Sequence, residues 1–133
     1  MMSSSYNKSR QPSEALYSKA REIMKISKSV SDYLLPDVSG LNDHGLEDKS
    51  VYFTGDIIRY SESLLPNIAR AENEFFQESR KHYVHAVSLL TERLSKHCEH
   101  LELANSNGKD FVRLLRKEIQ KFRKLQRVWR LTL

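Results

Sequence analysis

Residues 79–104 read SRKHYVHAVSLLTERLSKHCEHLELA, and in them Tyr83, Val87, Leu90, Leu94, His97, Leu101 and Ala104 recur at alternating steps of four and three. Side chains spaced this way lie on one side of an α-helix, so the stretch predicts a long helix with a heptad seam. A seam of this kind must be covered by other helices, and the flanking sequence supplies them.

Downstream, Asn105-Ser106-Asn107-Gly108 is a turn signal, because Asn and Gly tolerate positive φ. A helix follows over 109–133, with Phe111, Leu115, Ile119, Phe122, Leu125 and Trp129 within about 80° of one direction at about 100° per residue. Upstream, a helix is predicted over 50–76 with Ile57, Ser61, Leu64, Ile68 and Phe75 inward and a kink at Pro66. Residues 36–49 read as a loop rich in acids and glycine. The first helix is predicted over 13–35, with Ser13 as its N-cap, Pro36 as its stop, and Leu16, Ala20, Ile23, Ser27, Val30 and Leu34 as its inner row. Residues 1–12 are expected to be a disordered N-terminal segment. The expected domain is 13–133, an all-α, antiparallel up-down-up-down four-helix bundle.

Composition agrees with helices. The 133 residues include only four Gly and three Pro, too few for the turns of an all-β domain. The single cysteine, Cys98, excludes an intramolecular disulfide. The polar start lacks a signal-peptide apolar run, and no stretch approaches the roughly 20 apolar residues of a membrane span. A cytoplasmic location without membrane association is expected.

Charge is distributed unevenly. Residues 1–35 carry six bases against three acids, and residues 36–107 carry seven against twelve. Residues 108–133 carry nine bases, Lys109, Arg113, Arg116, Lys117, Lys121, Arg123, Lys124, Arg127 and Arg130, against Asp110 and Glu118. Lys109, Arg113, Arg116, Lys124 and Arg127 fall within about 50° of the direction opposite the apolar arc. This is a cationic stripe about 27 Å long at 1.5 Å per residue. Such a stripe suits nucleic-acid phosphates, which bind Arg and Lys with counterion release. A solvated face that maintains solubility has the same composition, and an acidic protein would fit it as well. Absence of interleaved acids tilts the reading toward binding, with all nine bases as candidate phosphate contacts and none placed to read base edges.

Catalytic and metal readings find little to stand on. Glu78, His82 and His85 share one face of the third helix, and His97, Cys98 and His100 lie close together, yet the other helices offer no matching Glu-x-x-His. His44 falls in the loop. No Gly-rich phosphate loop, G-x-S-x-G or H-E-x-x-H occurs. No enzyme, no metal site and no cofactor is expected.

The stretch Asp56-Ile57-Ile58-Arg59-Tyr60-Ser61-Glu62-Ser63-Leu64-Leu65-Pro66-Asn67-Ile68-Ala69 resembles a signature of the four-helix proteins encoded in intervening sequences of bacterial 23S ribosomal RNA genes, I-R-R-A-x-x-S-I-P-x-N-I-A-E-G. Ile58-Arg59, Ser63 and Asn67-Ile68-Ala69 match it, whereas Pro66 sits one position nearer the Asn and Arg70-Ala71 stand in place of E-G. Lys81-His82-Tyr83-Val84-His85-Ala86-Val87-Ser88-Leu89 and Glu102-Leu103-Ala104 are similar to the family's next helix and its ending. One branch of that family comprises the accessory variability determinant proteins of diversity-generating retroelements. These are small basic homopentameric bundles that bind nucleic acid and a reverse transcriptase, and Trp129 in a basic last helix resembles that branch. The resemblance implies a non-catalytic, homo-oligomeric protein that binds RNA or cDNA and docks a reverse transcriptase. The intervening-sequence branch implies instead an oligomeric structural or interaction bundle, binding an acidic protein or itself.

Overall fold

The computed structural model describes residues 2–38, 50–103 and 109–133, with side chains over 13–33, 54–103 and 109–133. Four helices follow one another: α1 (Met2–Val38), α2 (Ser50–Asn73), α3 (Gln77–Leu103) and α4 (Lys109–Leu131). No strand occurs among the described residues. Among the described residues, each helix packs on two others, α1 on α2 and α4, and α3 on α2 and α4. The expected antiparallel four-helix bundle is what the chain forms. Of the loop predicted over 36–49, residues 36–38 belong to α1 and residues 39–49, His44 among them, lie outside the described residues, as do Ala104 and the predicted turn at 105–108.

The inner rows of α1 and α2 are close to those expected. Leu16, Ala20, Ile23, Ser27 and Val30 of α1 are fully buried, as are Ile57, Ser61, Leu64 and Ile68 of α2. Leu34 lies outside the described side chains. Ser61 and Thr91 satisfy their buried hydroxyls within their own helices, donating to the carbonyl oxygens of Ile58 (2.8 Å) and Val87 (2.7 Å). The Ser27 hydroxyl is buried without a partner among the described residues.

Four local expectations are corrected. Ser13 does not cap α1, which begins at Met2; its hydroxyl donates instead across the interface to the Glu72 carboxylate of α2. Pro36 does not stop α1, which continues to Val38. Phe75 is not an inner residue. α2 ends at Asn73, so Phe75 falls in the short connection to α3, is 85% exposed, and meets Phe76 edge to face, while Ala71 completes the inner row. Arg80 donates through Nη2 to the Glu74 carbonyl oxygen (2.8 Å) and stabilises this connection.

The fourth correction concerns the seam of α3. Val87, Leu94 and Leu101 are buried as the heptads require, but Thr91 and Cys98 share the centre with them. Tyr83, Leu90 and His97 are half-buried on the flank toward α2, where His97 Nε2 lies 3.3 Å from Asp56 and its ring meets Tyr60 edge to face. A helix held between two neighbours buries a broad arc, and a one-partner coiled-coil seam marks only one side of it.

The buried arc of α4 is broader in the same way. Leu115, Ile119, Phe122 and Trp129 are fully buried, Phe111 and Leu125 pack partly against the core, and Val112, Gln126 and Glu118 join them. Both polar members have partners: Gln126 donates to Ser88 of α3 (2.5 Å), and Glu118 accepts from Lys19 of α1 (2.6 Å) and Lys121 (3.1 Å). Asp110 in the first turn of α4 and Arg130 in its last oppose the helix dipole favourably.

Candidate nucleic-acid interface

The two neighbours of α4 divide its nine bases into sets. Near its start, Arg116 Nη1 donates to Glu102 of α3 at 2.5 Å, while Arg113 lies 3.9 Å from Glu102 and 3.5 Å from Asp110. The Glu102 side chain is only 13% exposed, so these arginines supply charge that α3 needs. Lys121 pairs with buried Glu118. The acids that the helical projection leaves outside the basic arc therefore reach it, from the α4 backbone one turn earlier and from α3.

Two further sets make no ion pair among the described residues. Lys117 and Lys124 lie on the outward side of α4, and Lys109 is half-buried at its first turn. Arg123, Arg127 and Arg130 follow one another at steps of four and three on the side toward α3. They line a groove between α3 and α4 with Ser88, Glu92 and Gln126, enclosing about 410 Å³. A second hollow of about 290 Å³, lined by Lys81, Val84, His85, Ser88 and Arg130, adjoins it through the shared Ser88 and Arg130. Three guanidiniums and one ammonium thus border a continuous cleft at the end of the bundle where α3 begins. Its one carboxylate, Glu92, is engaged by Lys96 at 3.3 Å.

This cleft has a physical origin. Arg123 and Arg130 sit at the edge of the buried arc of α4, where their aliphatic stems can lie along the α3 interface with their charged ends in solvent, and Arg127 stands further out on the same side. Ser88 is small and its hydroxyl oxygen accepts from the Gln126 amide, which leaves room above it. Planar guanidiniums in such a row suit the oxygens of phosphate groups. From Arg123 to Arg130 the helix rises about 10 Å, enough for a short run of phosphates.

Lys81, His85 and Ser88 are members of this site that the helix-by-helix sequence reading did not select. Their signal was the turn at 105–108: counting equal steps back and forward from it brings Ser88 opposite residue 125, next to Gln126.

The other clusters disperse. Cys98 points into the core, where burial pushes its thiol up to about 12, while His97 turns to Asp56 and His100 is exposed. Among the described residues, no three of His, Cys, Asp and Glu converge to hold a metal ion. Trp129 is fully buried, with its indole Nε1 unpartnered among the described residues, so it serves the core and not the surface. No described helix is long and apolar enough to cross a membrane. No protein family, curated protein or solved structure matches the chain.

Proposed function

We propose that the chain is a non-catalytic nucleic-acid-binding protein that grips a phosphate backbone in the cleft between α3 and α4. The observation that carries this reading is the row Arg123, Arg127 and Arg130 facing Lys81 across the cleft, with none of the four ion-paired to a described residue. Cations used to hold a fold together have acids beside them, as Arg113 and Arg116 do. Cations without such acids are available to an external anion, and a polyanion engages several of them at once. Contacts of this sort position a strand without reading its sequence.

Within this reading, the resemblance of residues 56–104 to the retroelement branch supplies the biological setting. The protein is a homo-oligomeric accessory factor that holds RNA or cDNA while docking a reverse transcriptase. An acidic protein as the ligand is the outcome to be separated from this by experiment.

The test is fluorescence anisotropy with a single-stranded RNA of mixed sequence, titrated at several salt concentrations. Arg123→Gln/Arg127→Gln/Arg130→Gln should flatten the slope of log affinity against log salt by about 2, at roughly 0.7 per lost contact. It should weaken different sequences alike. A folded triple variant that retains the wild-type slope, or a wild type that leaves RNA unbound, overturns the proposal.

A further inference from the structure

We propose that Phe75 and Phe76 form a base-stacking platform at the open end of the α3–α4 cleft, which fits the site to single strands: the rings take unpaired bases while the cleft holds the phosphates. The inference rests on the phosphate-binding reading of the cleft and adds to it the class of strand that the site accepts.

The two rings have no task in the fold. They lie in the connection between α2 and α3, 85% and 67% exposed, outside both the core cluster and the half-buried residues around it. They meet edge to face, with centroids 5.5 Å apart and planes at 88°. Such a pair occupies one ring face and leaves the others open to a stacked partner. The backbone that carries the rings is anchored to the start of α3. Arg80 donates from its backbone N–H to the Phe76 carbonyl oxygen (3.0 Å) and from Nη2 to the Glu74 carbonyl oxygen (2.8 Å). A platform fixed before binding loses little entropy when a ligand stacks on it.

Position ties the platform to the cleft. The Gln126–Ser88 contact sets the register of the two antiparallel helices, and equal steps from it bring Arg130 level with Val84, which lines the same hollow. α4 ends one residue later, at Leu131. The first turn of α3 and the connection before it therefore project past the end of α4. Lys81 of the cleft follows Phe76 by five positions, about 7.5 Å at the helical rise. A strand gripped by Arg127, Arg130 and Lys81 leaves the cleft at the end of the bundle that carries the two rings.

Size and chemistry select the occupant. Two phenylalanine rings offer at most roughly 500 Å², short of the roughly 800 Å² that each side of a stable protein interface buries. A nucleobase matches one ring in size and flatness. Every base has a π-face, so stacking adds affinity without reading sequence. Bases in a duplex already stack on one another, and only unpaired ones can turn out to meet an aromatic ring.

The experiment compares three probes by fluorescence anisotropy: a single-stranded RNA of mixed sequence, an abasic ribose-phosphate strand of the same length, and a blunt RNA duplex. The wild type should bind the RNA roughly 5- to 100-fold more tightly than the abasic strand, the range of one stacked base. Phe75→Ser/Phe76→Ser should lose that gain, with the salt slope and the affinities for abasic strand and duplex unchanged, because stacking releases no counterions. Phe75→Leu/Phe76→Leu should lose it too, since leucine is apolar without a π-face, and Phe75→Tyr/Phe76→Tyr should keep it. An abasic strand bound as tightly as RNA, a serine or leucine variant with wild-type RNA affinity, or an equal loss on the duplex overturns the proposal. Retention of the wild-type salt slope by the triple arginine variant overturns the cleft reading instead, and a wild type that binds no strand overturns both.

Discussion

Lys19 Nζ lies 2.6 Å from Glu118 Oε2, an ion pair that bridges α1 and α4 beside the core. The Glu118 side chain is 7% exposed and that of Lys19 is 19% exposed. Their ionisations move in mutually supporting directions. The hydrogen bond from Lys19 is the largest influence holding the Glu118 carboxyl below its ordinary range, and the bond to Glu118 is the largest raising Lys19.

The pair sets an acid limit on stability. Glu118 has a depressed folded-state pKa, so its contribution is complete above the ordinary carboxylate pKa and is lost as pH falls through the folded value. Urea midpoints should fall as pH drops below about 4. In Glu118→Gln this part of the acid dependence should vanish. Lys19→Met should cost about 1–3 kcal/mol, below the full cost of breaking a buried pair because Lys121 remains beside Glu118. Lys19→Met/Glu118→Leu should recover most of that loss; a double variant weaker than the sum of both singles would contradict this account.

Core truncation distinguishes the centre of α3 from its flank. Leu94 is fully buried and Leu90 only half-buried. Leu94→Ala should cost about 2–5 kcal/mol, a large share of the roughly 5–15 kcal/mol of a typical domain. Leu90→Ala should cost less. Chemical denaturation followed by circular dichroism gives both values, and equal losses would contradict the broad-arc description of α3.

The two sets of arginines should separate in their effects. Arg116→Gln leaves the largely buried Glu102 carboxylate with only distant Arg113, so stability should drop by roughly 1–3 kcal/mol. The salt dependence of RNA binding should barely move. Arg127→Gln should do the reverse, since surface changes usually cost under about 0.5 kcal/mol. Thermal melts and anisotropy on the same two proteins make the comparison.

Cys98 should be chemically silent in the native state. Its burial and its thiol, raised to about 12, leave almost no thiolate at neutral pH. Iodoacetamide at pH 8 should label the chain only after denaturant is added, as read by mass spectrometry. Rapid labelling of the native protein would place the thiol at the surface.

Periodicity made the bundle legible, because apolar residues at steps of three and four can be buried only by other helices. Val87, Leu94, Leu101, Leu115 and Trp129 are where that rule puts them. It did not reveal that α3 would bury Thr91 and Cys98, since burial between two neighbours depends on packing angles that a single helix does not encode. Phe75 was misplaced for another reason: α2 ends two residues before it, and hydrophobicity carries no information on where the chain leaves the helix. The basic character of α4 was equally plain in sequence. Its division was not, because Glu102 and Lys81 come from another helix and only the α3–α4 register brings them to Arg116 and Arg130.

That division has a consequence for how the protein can change. The guanidiniums at 123, 127 and 130 pair with no described acid, so they can be exchanged to strengthen or weaken the grip on an anion at little cost to the bundle. The side chains at 19, 102, 116 and 118 do the opposite work and can be exchanged to tune stability at constant affinity. Selection can therefore adjust affinity and robustness on the same short helix as two independent traits.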